Sequence, residues 1–274
     1  MRSAESTPES VTTSQQQQEP ALTFPAPVFP ASTLPVPNAE PLDRAFTNMA
    51  STVMAEVGVA VTPVDGAEVS EWGPVQGGPA WSTIKVPMVM AAQRLVVDSA
   101  EQQTAAIVNS DNEAAEDLWQ QLGPPEQAAA SIEAVLEESG DSKTTVPTIR
   151  SRSEYSIFGQ TQWSLADQAR FAAHAACDPS ASQTIDLMTR VDDSQQWGIG
   201  ALSGSAFKGG WGPGTDGDYL VRQFGILTTD NGRVAVAIAA EPVSGTFDDG
   251  IRALDVVAEW LADNLGALPS GTCD

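Results

Sequence analysis

A single histidine, His174, is all the imidazole this chain contains. That excludes a zinc site built on several histidines, and with neither C-x-x-C nor H-E-x-x-H present, no metal and no cofactor is expected. G-x-S-x-G is missing as well, which disfavours a Ser-His-Asp hydrolase. His174 itself lies in "DQARFAAHAACD", a helical pattern in which a structural role is expected. Basic residues are scarce: 13 Lys and Arg stand against 36 Asp and Glu, for a net charge of −23. Each phosphate contact needs a cation, so neither nucleic acid nor an anionic membrane surface is an expected partner. The acidity reads instead as a soluble, self-repelling surface. No apolar run reaches the roughly 18 to 20 residues of a spanning helix, since Val86 to Ala92 is stopped by Gln93 and Arg94. The N-terminus has no basic head and apolar body of a secretory signal, which fits either a cytoplasmic protein or a processed or trimmed chain. The only cysteines, Cys177 and Cys273, suit one disulfide tying the C-terminal tail to a helix, or two separate thiols.

What is present begins with 274 residues at 42% hydrophobic content, enough for a sizeable core. Residues 1–40 carry "SQQQQEP" and then closely spaced prolines, and read as a disordered or extended leader that can act as a spacer. From Pro41, Leu42, Phe46, Met49, Val53 and Val57 mark one face of a helix expected to end at Gly58. "VAVTPVDG" and "VSEWGPVQGG" read as a hairpin turning at Asp65 and Gly66. Near the other end, "DYLVRQFGILTTDNGRVAVAIAAEP" reads as two strands turning at Asn231 and Gly232, with Val234, Val236 and Ile238 on one face. Ile251, Leu254, Val257, Leu261 and Leu265 then mark a final helix. Residues 86–200 are largely helical in pattern, with breaks at Gly123–Pro125 and between Ser139 and Gln162. The expected class is α/β (α+β). An antiparallel sheet from both chain ends (41–85 and 201–266), flanked by helices, joins an all-helical insertion lobe (86–200) in one domain over 41–270. The cleft between lobes is the expected place for a site.

Chemistry enters with "PAWSTIKVPMVM". Ser82 and Lys85 are three apart, so on a helix starting near Ser82 they share a face. The first turn offers unpaired N–H groups that stabilise an oxyanion. A lysine that takes the serine proton must be neutral, which requires burial or a neighbouring cation. The spacing alone is common, and Ser205 and Lys208 repeat it. Two further motifs follow in order: "SDN" at Ser110, Asp111 and Asn112, and "KGG" at Lys208, Gly209 and Gly210 before the strand expected from Asp218.

In this order the motifs resemble those of the serine β-lactamases and penicillin-binding proteins, nearest to class A β-lactamase-like proteins of actinobacteria, over roughly residues 41–266. The resemblance implies an exported serine hydrolase or acyl-transfer enzyme of the cell envelope acting on a β-lactam or peptidoglycan-type substrate. It implies Ser82 as the acylated nucleophile and Lys85 as its base. Ser110 becomes a proton shuttle, Asn112 a donor to the substrate amide, and Lys208 an anchor for its carboxylate. The N–H groups of Ser82 and Trp211, beside Gly210, become the oxyanion hole.

Departures from the pattern narrow the expectation. Ser110 follows Ser82 by only 28 positions, so a loop that walls the cleft in typical class A enzymes looks deleted and the site should be open. Gly209 stands where a threonine or serine hydroxyl is usual; Arg222 either compensates or forms a surface salt bridge. The only acid between Asp141 and Asp167 is Glu154, in "SEYSIF", with Phe158 in place of the asparagine of an E-x-x-L-N loop. Deacylation is therefore expected to be slow. The alternative is a catalytically impaired envelope protein that keeps the fold and binds a ligand or partner. The oligomeric state is not legible in the sequence.

Overall fold

The structure is a computed structural model that describes residues 39–95 and 98–273. The leader expected over 1–40 lies almost wholly outside the described residues. The chain runs α1 (Ala39–Ala50), β1 (Ala55–Pro63), β2 (Ser70–Trp72), β3 (Gly77–Pro79), α2 (Lys85–Gln93), α3 (Ala100–Val108), α4 (Asn112–Gln121), α5 (Pro125–Glu138), β4 (Gln162–Ser164), α6 (Leu165–Ala175), α7 (Ser182–Met188), β5 (Ala206–Pro213), β6 (Tyr219–Thr229), β7 (Gly232–Pro242) and α8 (Phe247–Asp263). The main sheet has the order β2-β1-β7-β6-β5, antiparallel throughout, so both chain ends build it as expected. A separate ribbon pairs β3 with β4.

The two faces of this sheet differ in side-chain size. On β7, Val234, Val236, Ile238 and Ala240 join Leu254, Val257 and Leu261 of α8 and Leu42 and Phe46 of α1 in one core. Ala235, Ala237 and Ala239 point to the opposite face, where α6 and the helices of the insertion form the second core. Period-2 alternation places these sets on opposite sides. The small alanines allow α6 to approach the strands closely, and methylenes added there would overpack the interface. α2 is apolar all round and buried over Lys85 to Ala92, the pattern of a helix enclosed on every side.

Helix starts follow local chemistry. Asp111 caps α4 by accepting the Ala114 N–H at 2.7 Å, and Ser164 caps α6 by accepting that of Asp167 at 3.0 Å. Cys177 and Cys273 form a disulfide that fastens the C-terminal tail, and Gly271 bridges Arg233 of β7.

Several boundaries differ from the sequence reading. The first helix stops at Ala50; Val57 and Gly58 lie in β1, which starts at Ala55. The apolar spacing continued into a buried strand, where a short run of hydrophobics fits either period. The second hairpin strand is divided: Ser70–Trp72 pairs with β1, while Gly77–Pro79 leaves the sheet to join β4. "KGG" lies inside β5.

Candidate active site

Ser82 sits in a 3-10 turn, Trp81–Ile84, that leads into α2. The turn packs against β5, the edge strand of the sheet. A Cβ on Gly210 would stand 2.8 Å from both the Ser82 nitrogen and the Ala80 carbonyl oxygen, so only glycine lets the strand pass this close to Ser82. Trp81 is held at φ 50°, in the left-handed region, with its ring wedged over Gly212 and edge-on to Tyr155 at 5.1 Å between centroids. A non-glycine residue in that region costs on the order of 1 kcal/mol, and the packed ring holds it there.

Lys85, the first residue of α2, is buried. Its Nζ donates to the carbonyls of Ser110 at 2.7 Å and Asp111 at 3.1 Å, and to Asn112 Oδ1 at 2.8 Å. Lys208 reaches the same turn from β5: its Nζ donates to Ser110 Oγ at 2.8 Å and to the Gly209 carbonyl at 3.0 Å. Ser110, at φ 57°, therefore stands between two lysines, its carbonyl on one and its hydroxyl on the other. All five acceptors are neutral oxygens, so among the described residues neither ammonium is hydrogen-bonded to a carboxylate. Burial lowers the Lys85 pKa to about 7, against the opposing pull of Asp111 and Glu116. Burial first, and the charge of Lys85 second, push Lys208 well below the ordinary lysine range. An amine titrating near neutrality three residues from a serine can take the serine proton. Among the described residues, however, the hydrogen bonds of Lys85 go to the turn and none goes to Ser82.

Ser82 opens onto a cleft of about 360 Å³ whose walls include Asn112, Glu116, Arg150, Glu154 and Trp211. Trp211 lies at its edge, its indole packed against Phe247 at 5.1 Å. Two of these residues carried no expectation. Glu116 follows Asn112 by one helical turn on α4 and shares its face, a spacing that could have revealed it. Arg150, paired with Glu116 at 3.3 Å, comes from the long loop before β4, where no sequence pattern marks it.

Arg222 is placed differently from both readings of the sequence. It is fully buried and does not reach the cleft; its guanidinium donates to the carbonyls of Gly78, Pro79 and Trp163 and to Gln168 Oε1. It fastens the β3–β4 ribbon and α6 to β6, and burial lowers its pKa to about 9. Glu154 does line the cleft, but its side chain is 57% exposed and 3.5 Å from Arg152. A backbone hydrogen bond and Arg152 hold its carboxyl below the ordinary glutamate range, which makes it a weak base. His174 is exposed rather than packed; Glu138 and Asp178 stand beside it, and Glu138 is already paired with Arg94 at 2.6 Å.

No family model and no curated protein matches the sequence. Solved structures do. The chain is similar to the TLA-3 extended-spectrum β-lactamase (TM-score 0.65, 16% identity, 83% of this chain and 99% of that one). It is similar to a β-lactamase from Streptosporangium roseum (TM-score 0.63, 15% identity, 83% and 99%). It is also similar to a class A β-lactamase from Mycobacterium abscessus (TM-score 0.64, 15% identity, 82% and 99%). Identities this low speak for the fold alone, and the fold is that of the class A β-lactamases.

Proposed function

We propose that this chain, which has the class A β-lactamase fold, is a serine acyl-transfer enzyme that forms an ester at Ser82 with a β-lactam or a cell-wall peptide and releases it slowly. The observation that carries the reading is the meeting of three motifs far apart in sequence. Lys85 and Lys208 converge on Ser110 and Asn112 at 2.7 to 2.8 Å, and Asn112 lines one cleft with Ser82. In this reading Lys85, neutral in about half of the molecules near pH 7, takes the Ser82 proton as Oγ attacks the substrate carbonyl. The N–H groups of Ser82 and Trp211 hold the oxyanion, and Ser110 shuttles the proton that Lys85 took from Ser82 on to the departing nitrogen. Asn112 holds the substrate amide. Slow release follows from Glu154, exposed and weakly basic, with Phe158 where a water-holding amide would stand.

Residues 41–270 act as the catalytic domain in this reading, with the leader as spacer. Export to the cell envelope agrees with the Cys177–Cys273 disulfide, which persists in oxidising compartments. No helix among the described residues is long and apolar enough to cross a membrane.

Intact-mass measurement after incubation with benzylpenicillin tests the reading. A stable adduct of the penicillin mass, absent in Ser82→Ala, is expected; no adduct, or one that survives the substitution, refutes it. The second reading, a binding protein on the same fold, is favoured by one observation, that Lys85 bonds the turn and not Ser82. It predicts saturable binding of a peptidoglycan fragment with Ser82 unreactive.

A further inference from the structure

The cleft contains charge that the acyl-transfer reading does not use. Glu116 and Arg150 face each other at 3.3 Å on its wall, with side chains 31% and 39% exposed. The other cations near the site are engaged elsewhere. Lys208 and Arg222 are fully buried. Arg152 donates to the Pro213 carbonyl, pairs with Glu154 and lies 4.3 Å over the Tyr155 ring. Arg150 is thus the one cation among the residues that line the cleft, and Glu116 is its ion-pair partner.

The pair has a defined place relative to the substrate. Asn112 is assigned to the amide that carries the acyl arm, and Glu116 lies one helical turn beyond it on the same face of α4. An arm that follows this face from Asn112 meets Glu116 and Arg150. A partly exposed ion pair contributes little to stability, so its members can exchange partners at little cost. The exchange is selective by sign. A lone carboxylate bound to Arg150 leaves Glu116 beside a like charge, and a lone ammonium bound to Glu116 does the same to Arg150. A group carrying both charges satisfies both residues, and being neutral overall it is not repelled by a protein of net charge −23.

We propose that Glu116 and Arg150 form a specificity site for acyl donors whose acyl arm ends in a zwitterionic α-amino acid group, its carboxylate on Arg150 and its ammonium on Glu116. This inference rests on the acyl-transfer reading and names the substrate class within it.

The test uses three penicillins with the same nucleus: one with a δ-(α-aminoadipyl) arm, one with a glutaryl arm that keeps the terminal carboxylate and lacks the amine, and benzylpenicillin. The rate of adduct formation at Ser82 is read by intact mass. The aminoadipyl compound is expected to react roughly 10-fold faster than the other two, the scale of a charge-assisted hydrogen bond. In Glu116→Gln and in Arg150→Gln the ratio is expected to fall toward one. Reading a ratio cancels any general loss of folded or reactive protein. A ratio near one in the wild type, equal rates for the aminoadipyl and glutaryl arms, or a ratio indifferent to both substitutions overturns this inference alone. Absence of an adduct with all three compounds overturns the acyl-transfer reading and this inference with it.

Discussion

The acylation rate should fall steeply with acid, with a midpoint near pH 7, because the proposed base is a lysine whose burial lowers its pKa from 10.5 to about 7. Only the neutral amine accepts the Ser82 proton. At pH 5.5 the neutral fraction is roughly 3%, so acylation by benzylpenicillin should be about 15-fold slower than at pH 7 and close to its plateau by pH 8.5. The charges facing Lys85 are Asp111, Glu116 and Lys208. The two carboxylates raise its pKa, so Glu116→Gln should move the midpoint lower. Stability should report the same titration with a definite sign. Between about pH 7 and 10.5 the unfolded lysine holds a proton that the folded one has lost, so the folded state gains stability as pH rises through that window. Below pH 7 both forms are protonated and the folded protein carries the full penalty. At about 1.4 kcal/mol per pH unit the window amounts to about 5 kcal/mol, measurable as the urea stability of wild type relative to Lys85→Met across pH. An acylation rate flat from pH 5.5 to 8.5, or one still rising tenfold per unit at pH 9, would refute the reasoning.

Gly210→Ala places a methyl 2.8 Å from the Ser82 nitrogen and should cost on the order of 1–3 kcal/mol in thermal or urea unfolding, with a marked loss of adduct formation. Arg222→Ala leaves the acceptors on Gly78, Pro79, Trp163 and Gln168 buried without their donor. A loss on the order of 3 kcal/mol is expected by urea titration. Reducing the Cys177–Cys273 bond, which spans 96 positions, should lower stability by roughly 4–5 kcal/mol and expose the C-terminal tail to proteolysis; unchanged unfolding after complete reduction would contradict this.

The local pattern carried most of the fold. The alternation of β7 and the 3.6-residue period of α8 were legible because each buries one face against a core, and such burial writes its period into the residues. The first helix was overextended because Val53 and Val57 kept the helical spacing by coincidence while the chain had already turned into β1. Within the site, Ser82, Lys85, Ser110, Asn112 and Lys208 were legible because each lies in a short motif whose internal spacing is fixed by a turn, a helix start or a strand.

Tertiary structure decided what those residues face. That Ser110 stands between two lysines, with no carboxylate among their acceptors, depends on α4 and β5 meeting across nearly a hundred residues of chain. Burial, which a single sequence does not display, turned Lys85 into an amine titrating near 7 and Arg222 into a fastening for the β3–β4 ribbon instead of a substrate anchor. The Glu116–Arg150 pair joins a helix to a loop 34 positions away, a proximity no local periodicity encodes. By itself the sequence determined the fold class and set the candidate residues in short motifs, because periodicity and motif spacing are local. Which protons are labile and which charges meet a ligand were decided only by packing, because desolvation and charge proximity are properties of the folded interior.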